Sequence, residues 1–327
     1  MVNFIIKRII LMFFTLIGIS ILSFIIIQAP PGDYLSSYMA RLTAAGIAIN
    51  PAEIEALKVR YGLDQPMYVQ YIRWMSNLLH GDLGRSMQWN TTVKDIILQR
   101  LPGSFTISLF SFILSYLIAI PIGVFSATHK YSFWDYLFSF VGFLGISIPS
   151  FFLALIALWL YFISTGNVMV GLFSREFQTA PWSLAKFADL LSHIWLPVII
   201  LGLGGTCGII RSVRNNLLDE LQKPYVITAR AKGLPERRLL YKYPFRIAIN
   251  PIISTIGWML PSLVSGELFV SLILNIPTLG PIFTDSLISQ DMFLASSIVL
   301  VLSSLTVIGT LISDILLAWV DPRIRYL

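Results

Sequence analysis

Charge is what this sequence has least of. Charged residues make up 12% of its 327 positions and hydrophobic ones 56%, whereas a soluble domain carries roughly 25% charged residues. The apolar excess falls in long uncharged runs, and the mean hydropathy of +0.77 makes lipid the expected solvent. Cysteine is nearly absent. The single Cys207 excludes an intrachain disulfide and leaves no thiolate cluster for a metal. His80, His129 and His193 are far apart, and H-E-x-x-H, G-x-x-x-x-G-K-[ST] and G-x-S-x-G do not occur. The chain therefore has no recognisable apparatus for hydrolysing ATP and no constellation of nucleophile, base or metal ligand for a membrane-embedded enzyme.

What is present is a series of spans. Ile9–Ala29 runs 21 residues without a charge, enough to cross roughly 30 Å of hydrocarbon as a helix. Lys7 and Arg8 precede it, but a secretory signal has a shorter apolar core of ~7–15 residues and a small-residue cleavage site. A retained span is the better reading. Further uncharged runs cover 101–128, 136–174 (helix expected over 136–162), 190–210, 247–266 (continuing to 274) and 292–313. The expectation is an all-α membrane protein with six transmembrane helices. Lys7, Arg8, Lys130, the basic residues between Arg211 and Arg246, and Arg323 and Arg325 fall on one side; the short opposite loops hold Arg175 and Lys186. The positive-inside rule then puts both termini in the cytoplasm. The net charge of +6 is thus explained by membrane orientation and anionic lipid, and nucleic acid is not expected as a partner. The chain divides into a first transmembrane helix (1–30), an extracytoplasmic helical cap (31–102), a five-helix core (103–320) containing a cytoplasmic loop at 211–246, and a tail (321–327).

In the cap, Asn50, Pro51 and Gly62 predict the N-cap, first turn and C-terminal stop of a helix. A second helix is predicted from Pro66 to Leu79, with Val69, Ile72 and Met75 on one face, broken at His80-Gly81-Asp82. In the spans, Gly204 and Gly208 form a G-x-x-x-G, and Ser104, Ser108, Ser111, Ser115, Ala119 and Gly123 recur on the second span. Such faces suit close helix approach in lipid. Pro121, Pro149, Pro197, Pro261 and Pro277 predict kinks or broken ends. Glu267 and Asp314 are acids within spans, expensive at membrane depth and hence candidate functional groups. Asp314 lies near the cytoplasmic interface, where a structural role suffices. Glu267 follows Ser265-Gly266, where a helix break would admit water.

The densest positive charge lies in VITARAKGLPERRLLYKYPF, Val226 to Phe245. Tyr225–Lys232 makes two helical turns, with Pro224 at the first position and Gly233 as a left-handed C-terminal cap. Arg230 and Lys232 complement the dipole in the last turn. Leu234-Pro235 turns the chain into a second short basic helix. Anionic lipid alone would not require a glycine hinge between two short helices, so the pattern predicts a cytoplasmic docking element.

TARAKGL (Thr228 to Leu234), YGLDQP (Tyr61 to Pro66), GDLGRS (Gly81 to Ser86) and DPRIRY (Asp321 to Tyr326) occur in order. Together they resemble the inner-membrane permease subunits of ATP-binding-cassette importers, in the first-permease group of the dipeptide/oligopeptide/nickel branch. The likeness covers nearly the whole chain. It implies that Tyr225, Val226, Ile227, Thr228, Ala229, Arg230, Ala231, Lys232, Gly233 and Leu234 form the coupling helix, between spans four and five, that docks on an ATPase. It implies no cofactor in this chain, ATP and Mg being bound by two partner ATPase subunits. The further partners implied are a second, homologous permease and an extracytoplasmic substrate-binding protein, with peptides as substrate. Nickel or other metal chelates and oligosaccharides are the substrate alternatives within the same role. The chain departs from the family pattern where I-x-L-P would end the coupling loop, having Tyr243, Phe245 and Arg246. It also has Pro277-Thr278-Leu279-Gly280 for P-G-L-G, and Ser271 where a glutamate is frequent; its acid is Glu267, four residues earlier. Glu267 and Ser271 are the candidate pathway residues. From a different class, a self-contained transporter using Glu267 as a proton carrier is the competing reading. Trp159, Trp195 and Trp258 fit the membrane interface or helix packing better than a ligand site.

Overall fold

The computed structural model describes residues 2–48 and 50–320, and their side chains except 2–4 and 257–265. The DPRIRY segment lies outside the described residues. Fourteen helices follow one another among them: α1 (Val2–Gln28), α2 (Tyr34–Ala44), α3 (Pro51–Tyr61), α4 (Met67–Leu79), α5 (Val93–Thr128), α6 (Phe133–Ser147), α7 (Ser150–Thr165), α8 (Leu184–Leu221), α9 (Pro224–Ala231), α10 (Glu236–Lys242), α11 (Pro244–Ala248), α12 (Asn250–Ile273), α13 (Leu279–Ile288) and α14 (Met292–Val320). No strand occurs among the described residues beyond an isolated Arg85–Thr92 bridge. Four helices are long and apolar enough to cross a membrane: α1, α5, α8 and α14. The α6–α7 pair makes a fifth if it counts as one span, and α12 has 24 residues, its central side chains lying outside the described set.

The single helix expected over 136–162 is instead two, bent by 101°. Proline disfavours helical backbone in the residue before it and removes an N–H from the ladder. Ile148, ahead of Pro149, is accordingly extended at φ −95°, ψ 121°. Pro197, by contrast, stays inside an unbroken α8.

The chain forms two compact units. One comprises Met1–Ile9, Gly103–Pro277 and Leu305–Leu327. Its core joins α5, α7, α8, α11 and α12 through side chains such as Ile107, Ile194, Leu217, Ile252 and Val270. The small-residue stripe of α5 is buried throughout, from Ser104 to Gly123. A Cβ on Gly123 would stand 2.7 Å from that of Val213, so glycine here sets how closely α5 and α8 approach. Gly204 and Gly208 do not act this way: a Cβ at either meets nothing within 4 Å. The close glycines are Gly202 of α8, against Ser111 and Leu114, and Gly145 of α6, whose Cβ would lie 3.1 Å from Cys207 Sγ. Arg8 pairs with Asp314 at 3.1 Å, which accounts structurally for that acid.

The other unit comprises Ile10–Pro102 and Thr278–Ser304. Asn50 caps α3 by accepting the Ala52 N–H, and Gly62 ends it in the left-handed region. The core-facing side of α4 is Tyr71, Trp74 and Met75; Ile72 is exposed, because Trp74, 1% exposed and stacked on Phe24, sets the helix rotation. Helices α2 and α13 were not anticipated. Asp33 caps α2 through the Ser36 N–H at 2.8 Å.

Candidate coupling site

Helix α9 starts with Pro224 at its first position, after Lys223 in extended backbone. Proline loses nothing there, since the first N–H groups of a helix have no internal partner. The Thr228 hydroxyl donates back to Pro224 O at 2.9 Å. At the other end Gly233 takes φ +78°. Its N–H donates to Arg230 O at 3.0 Å and that of Leu234 to Ala229 O at 3.4 Å, the paired bonds of a Schellman stop. A Cβ at Gly233 would meet nothing within 4 Å. The requirement for glycine is therefore conformational and not steric.

Across that turn Arg230 and Glu236 form a two-pronged ion pair, Nε to Oε1 at 2.5 Å and Nη2 to Oε2 at 3.2 Å. Glu236 opens α10 and Arg230 lies in the last turn of α9, so each also sits at the favourable end of its helix dipole. The guanidinium holds the Glu236 carboxyl below its ordinary value. Because both side chains are exposed, the pair orients the turn more than it stabilises it. At the start of α9 the Tyr225 hydroxyl donates to the Glu220 carboxylate. Burial, then that carboxylate, push the phenol well up, so Tyr225 remains a donor.

The ten predicted coupling residues divide by exposure. Val226 is fully buried and anchors α9, which packs on α8 and α10. Tyr225, Ile227, Thr228, Arg230, Ala231, Lys232 and Gly233 are exposed, and Ala229 and Leu234 half-buried. The outward face is thus apolar at Ile227, small at Ala231 and cationic at Lys232. Behind it, α10 is held by Leu239, fully buried, and α8 is tied to α11 by the Asn216 amide donating to Ala248 O at 3.4 Å. A cavity of about 580 Å³ lies between the end of α5 and α10, with Phe125, Arg230, Glu236 and Tyr241 on its walls.

Glu267 and Ser271 lie elsewhere, on α12. The expected break at Ser265-Gly266 is absent: α12 is continuous from Asn250 to Ile273. Glu267 is fully buried, and Ser104 of α5 donates to its Oε1 at 2.6 Å. Serine supplies the hydrogen bond that a buried carboxyl needs, so the helix need not open to water. Ser271 is 1% exposed. Sequence reading missed the ion pair of Asp135 with Arg214, two bonds of 2.8 Å, and the buried Asp291 with its Ser86 partner. No periodicity signals partners that far apart in the chain.

An all-helical chain with several helices long and apolar enough to cross a membrane has the build of a multi-pass membrane protein. Residues 119–326 match the family of binding-protein-dependent transport system inner membrane components, and residues 1–110 match the N-terminal model of the same kind of membrane component. The chain belongs to that family, and is a multi-pass subunit of the cytoplasmic membrane. It is 38% identical over its whole length to the oligopeptide transport system permease protein AppB of Bacillus subtilis (strain 168), covering all of that protein. To the dipeptide transport system permease protein DppB of Lactococcus lactis subsp. cremoris (strain MG1363) it is 32% identical over 326 residues, 99% of this chain and all of that one. Among solved structures, an inward-facing conformation of the MetNI methionine ABC transporter superimposes with a TM-score of 0.54 at 16% identity, covering 69% of this chain and 96% of that one. At that identity the likeness concerns the fold alone.

Proposed function

We propose that this chain is the first permease subunit of an ATP-driven importer of di- or oligopeptides, and that α9 is its coupling helix. It crosses the membrane six times, through α1, α5, the bent α6–α7 pair, α8, α12 and α14, with both termini in the cytoplasm and residues 31–102 as an extracytoplasmic cap. A second, homologous permease completes the pathway. Two ATPase subunits bind ATP and Mg and dock on α9, and an extracytoplasmic binding protein delivers the substrate. The single observation that supports this reading is the construction of α9: one buried anchor, Val226, a Schellman stop at Gly233, and an outward face exposed at Ile227, Ala231 and Lys232. The permease names of its relatives support the peptide substrate.

Nucleotide binding closes the ATPase pair and draws on α9, and rigid-body movement of the bundles changes the side to which the pathway opens. The ATPases shift this equilibrium only as far as nucleotide prefers their closed pairing. The test is transport-coupled ATP hydrolysis by the assembled transporter in liposomes with its binding protein and a labelled peptide. Ala229→Asp and Gly233→Asp are expected to abolish stimulation of hydrolysis by peptide-loaded binding protein, with membrane insertion unchanged. Full coupling in both variants, with ATPase still co-purifying, would remove the docking role. Peptide uptake by the permeases alone, driven by a pH gradient, would instead establish a proton carrier.

A further inference from the structure

A second cavity, of about 400 Å³, opens between α6 and α8, away from α9. That volume is within the roughly 300–1,000 Å³ of small-ligand sites. Asp135 meets Arg214 and Gly142 and Gly145 meet Cys207, so the two helices run antiparallel and their polar ends coincide. One end of the cavity is lined by Tyr131, Tyr136, Arg211, Arg214 and Asn215, and the other by Gly142, Phe143, Ile146, Cys207 and Ile210. It is therefore graded from polar to apolar along its depth.

The charges at the polar end do not cancel. Arg214 is engaged by Asp135, whose carboxylate is 3% exposed and also accepts the Tyr131 N–H at 2.9 Å. Arg211 has no carboxylate within ion-pair distance among the described residues. Its guanidinium instead lies over the Phe143 ring, 5.7 Å from the centroid, which fixes it at the boundary between the two ends. The cavity thus presents one uncompensated cation above an apolar slot.

We propose that this cavity binds an anionic phospholipid of the inner leaflet, its phosphate on Arg211 and the upper part of one acyl chain against Phe143, Ile146 and Ile210. The inference rests on the orientation proposed above only for the choice of leaflet. A basic pocket between transmembrane helices at the cytoplasmic side is the expected form of such a site. Charge complementarity selects an anionic headgroup over a zwitterionic one. The apolar slot selects a lipid over free phosphate.

The experiment uses the assembled transporter in nanodiscs containing a trace of photoactivatable phosphatidylglycerol or, separately, phosphatidylcholine, with labelled peptides mapped by mass spectrometry. Phosphatidylglycerol is expected to label residues 138–146 or 207–211, and Arg211→Ala to lower that labelling by about fivefold, the factor expected for one basic residue at the surface. Arg211→Lys should retain most of it, and Ser139→Phe, which puts a ring into the cavity from its α6 wall without touching the charge, should lose it. Lys242→Ala, another basic residue of the same loop region, should change nothing. Equal labelling by the two lipids, or labelling unaffected by both Arg211→Ala and Ser139→Phe, would reduce the site to ordinary annular lipid. Cross-linking of Cys207 to the second permease would show that a protein fills the cavity, and would overturn the proposal. Labelling of the cavity solely by lipid confined to the outer leaflet of a liposome would refute the orientation and leave the site standing.

Discussion

Asp291 has its chemistry set by its surroundings. It is fully buried just ahead of α14. Its carboxylate accepts the Ser86 hydroxyl at 2.6 Å, the Gln88 N–H at 3.1 Å and the Leu294 N–H at 3.3 Å. Desolvation outweighs these bonds and raises its pKa above the ordinary carboxylate value. A carboxyl raised in the folded state binds its proton more tightly there than in the unfolded chain. Its contribution is complete below the unfolded pKa and is lost as pH rises through the folded one. Hydrogen exchange at the amides of 86–95 should therefore speed up across that window beyond its intrinsic pH dependence. Asp291→Asn, which keeps one acceptor and carries no charge, should remove the extra slope; an unchanged profile would discount the carboxyl. Glu236 has the opposite sign. Its depressed pKa, caused by Arg230, makes its small contribution present above the unfolded value and lost on acidification.

Short helices here are defined by their ends. Helix α3 has no buried residue, so its existence rests on the Asn50 cap, Pro51 and the Gly62 stop, with partly buried Ile54 and Leu57 packing against the neighbouring core. Asn50→Ala should cost about 1 kcal/mol of local stability, read as faster exchange of the 52–60 amides with no change in those of α4. Helix α9 depends in the same way on Gly233. Holding a β-branched residue left-handed costs about 1–2 kcal/mol, so Gly233→Val should fray α9 where Gly233→Asn does not. Circular dichroism would not resolve so small a segment; exchange at 225–234 would. The α6–α7 break follows the same logic, through one proline and the extended residue before it.

For the molecule as a whole, close packing is concentrated where backbones nearly touch. Gly123→Ala forces α5 away from Val213 and should cost about 1–3 kcal/mol as overpacking, visible as a lower thermal midpoint of the purified subunit. Gly204→Leu, on an open face, should leave that midpoint unchanged. An effect of Gly204→Leu confined to recovery of the assembled transporter would mark this face as covered by a partner, and its absence would leave the face to lipid. The exposed apolar side chains of α1, such as Ile9, Phe13, Leu22 and Ile26, are ordinary for a lipid-facing helix and call for no partner.

Hydropathy and local chemistry by themselves determined the helical class, most of the long helices, the α3 caps and the two ends of α9 at Pro224 and Gly233, while the burial of Val226, which the sequence would leave on the apolar docking face, was decided by packing. Each of the features so determined is a matter of a continuous apolar run or of backbone preferences within a few residues. The same reasoning placed the α5 stripe correctly, because a 3.6-residue period is local. Only the tertiary structure decided which glycines are crowded, since Gly123 and Gly204 sit in similar sequence and differ in what faces them. It also decided the rotation of α4 through Trp74, the burial of Glu267 beneath Ser104, and the pairing of Asp135 with Arg214. Those outcomes depend on partners scores of residues away, brought together by packing that no local pattern encodes.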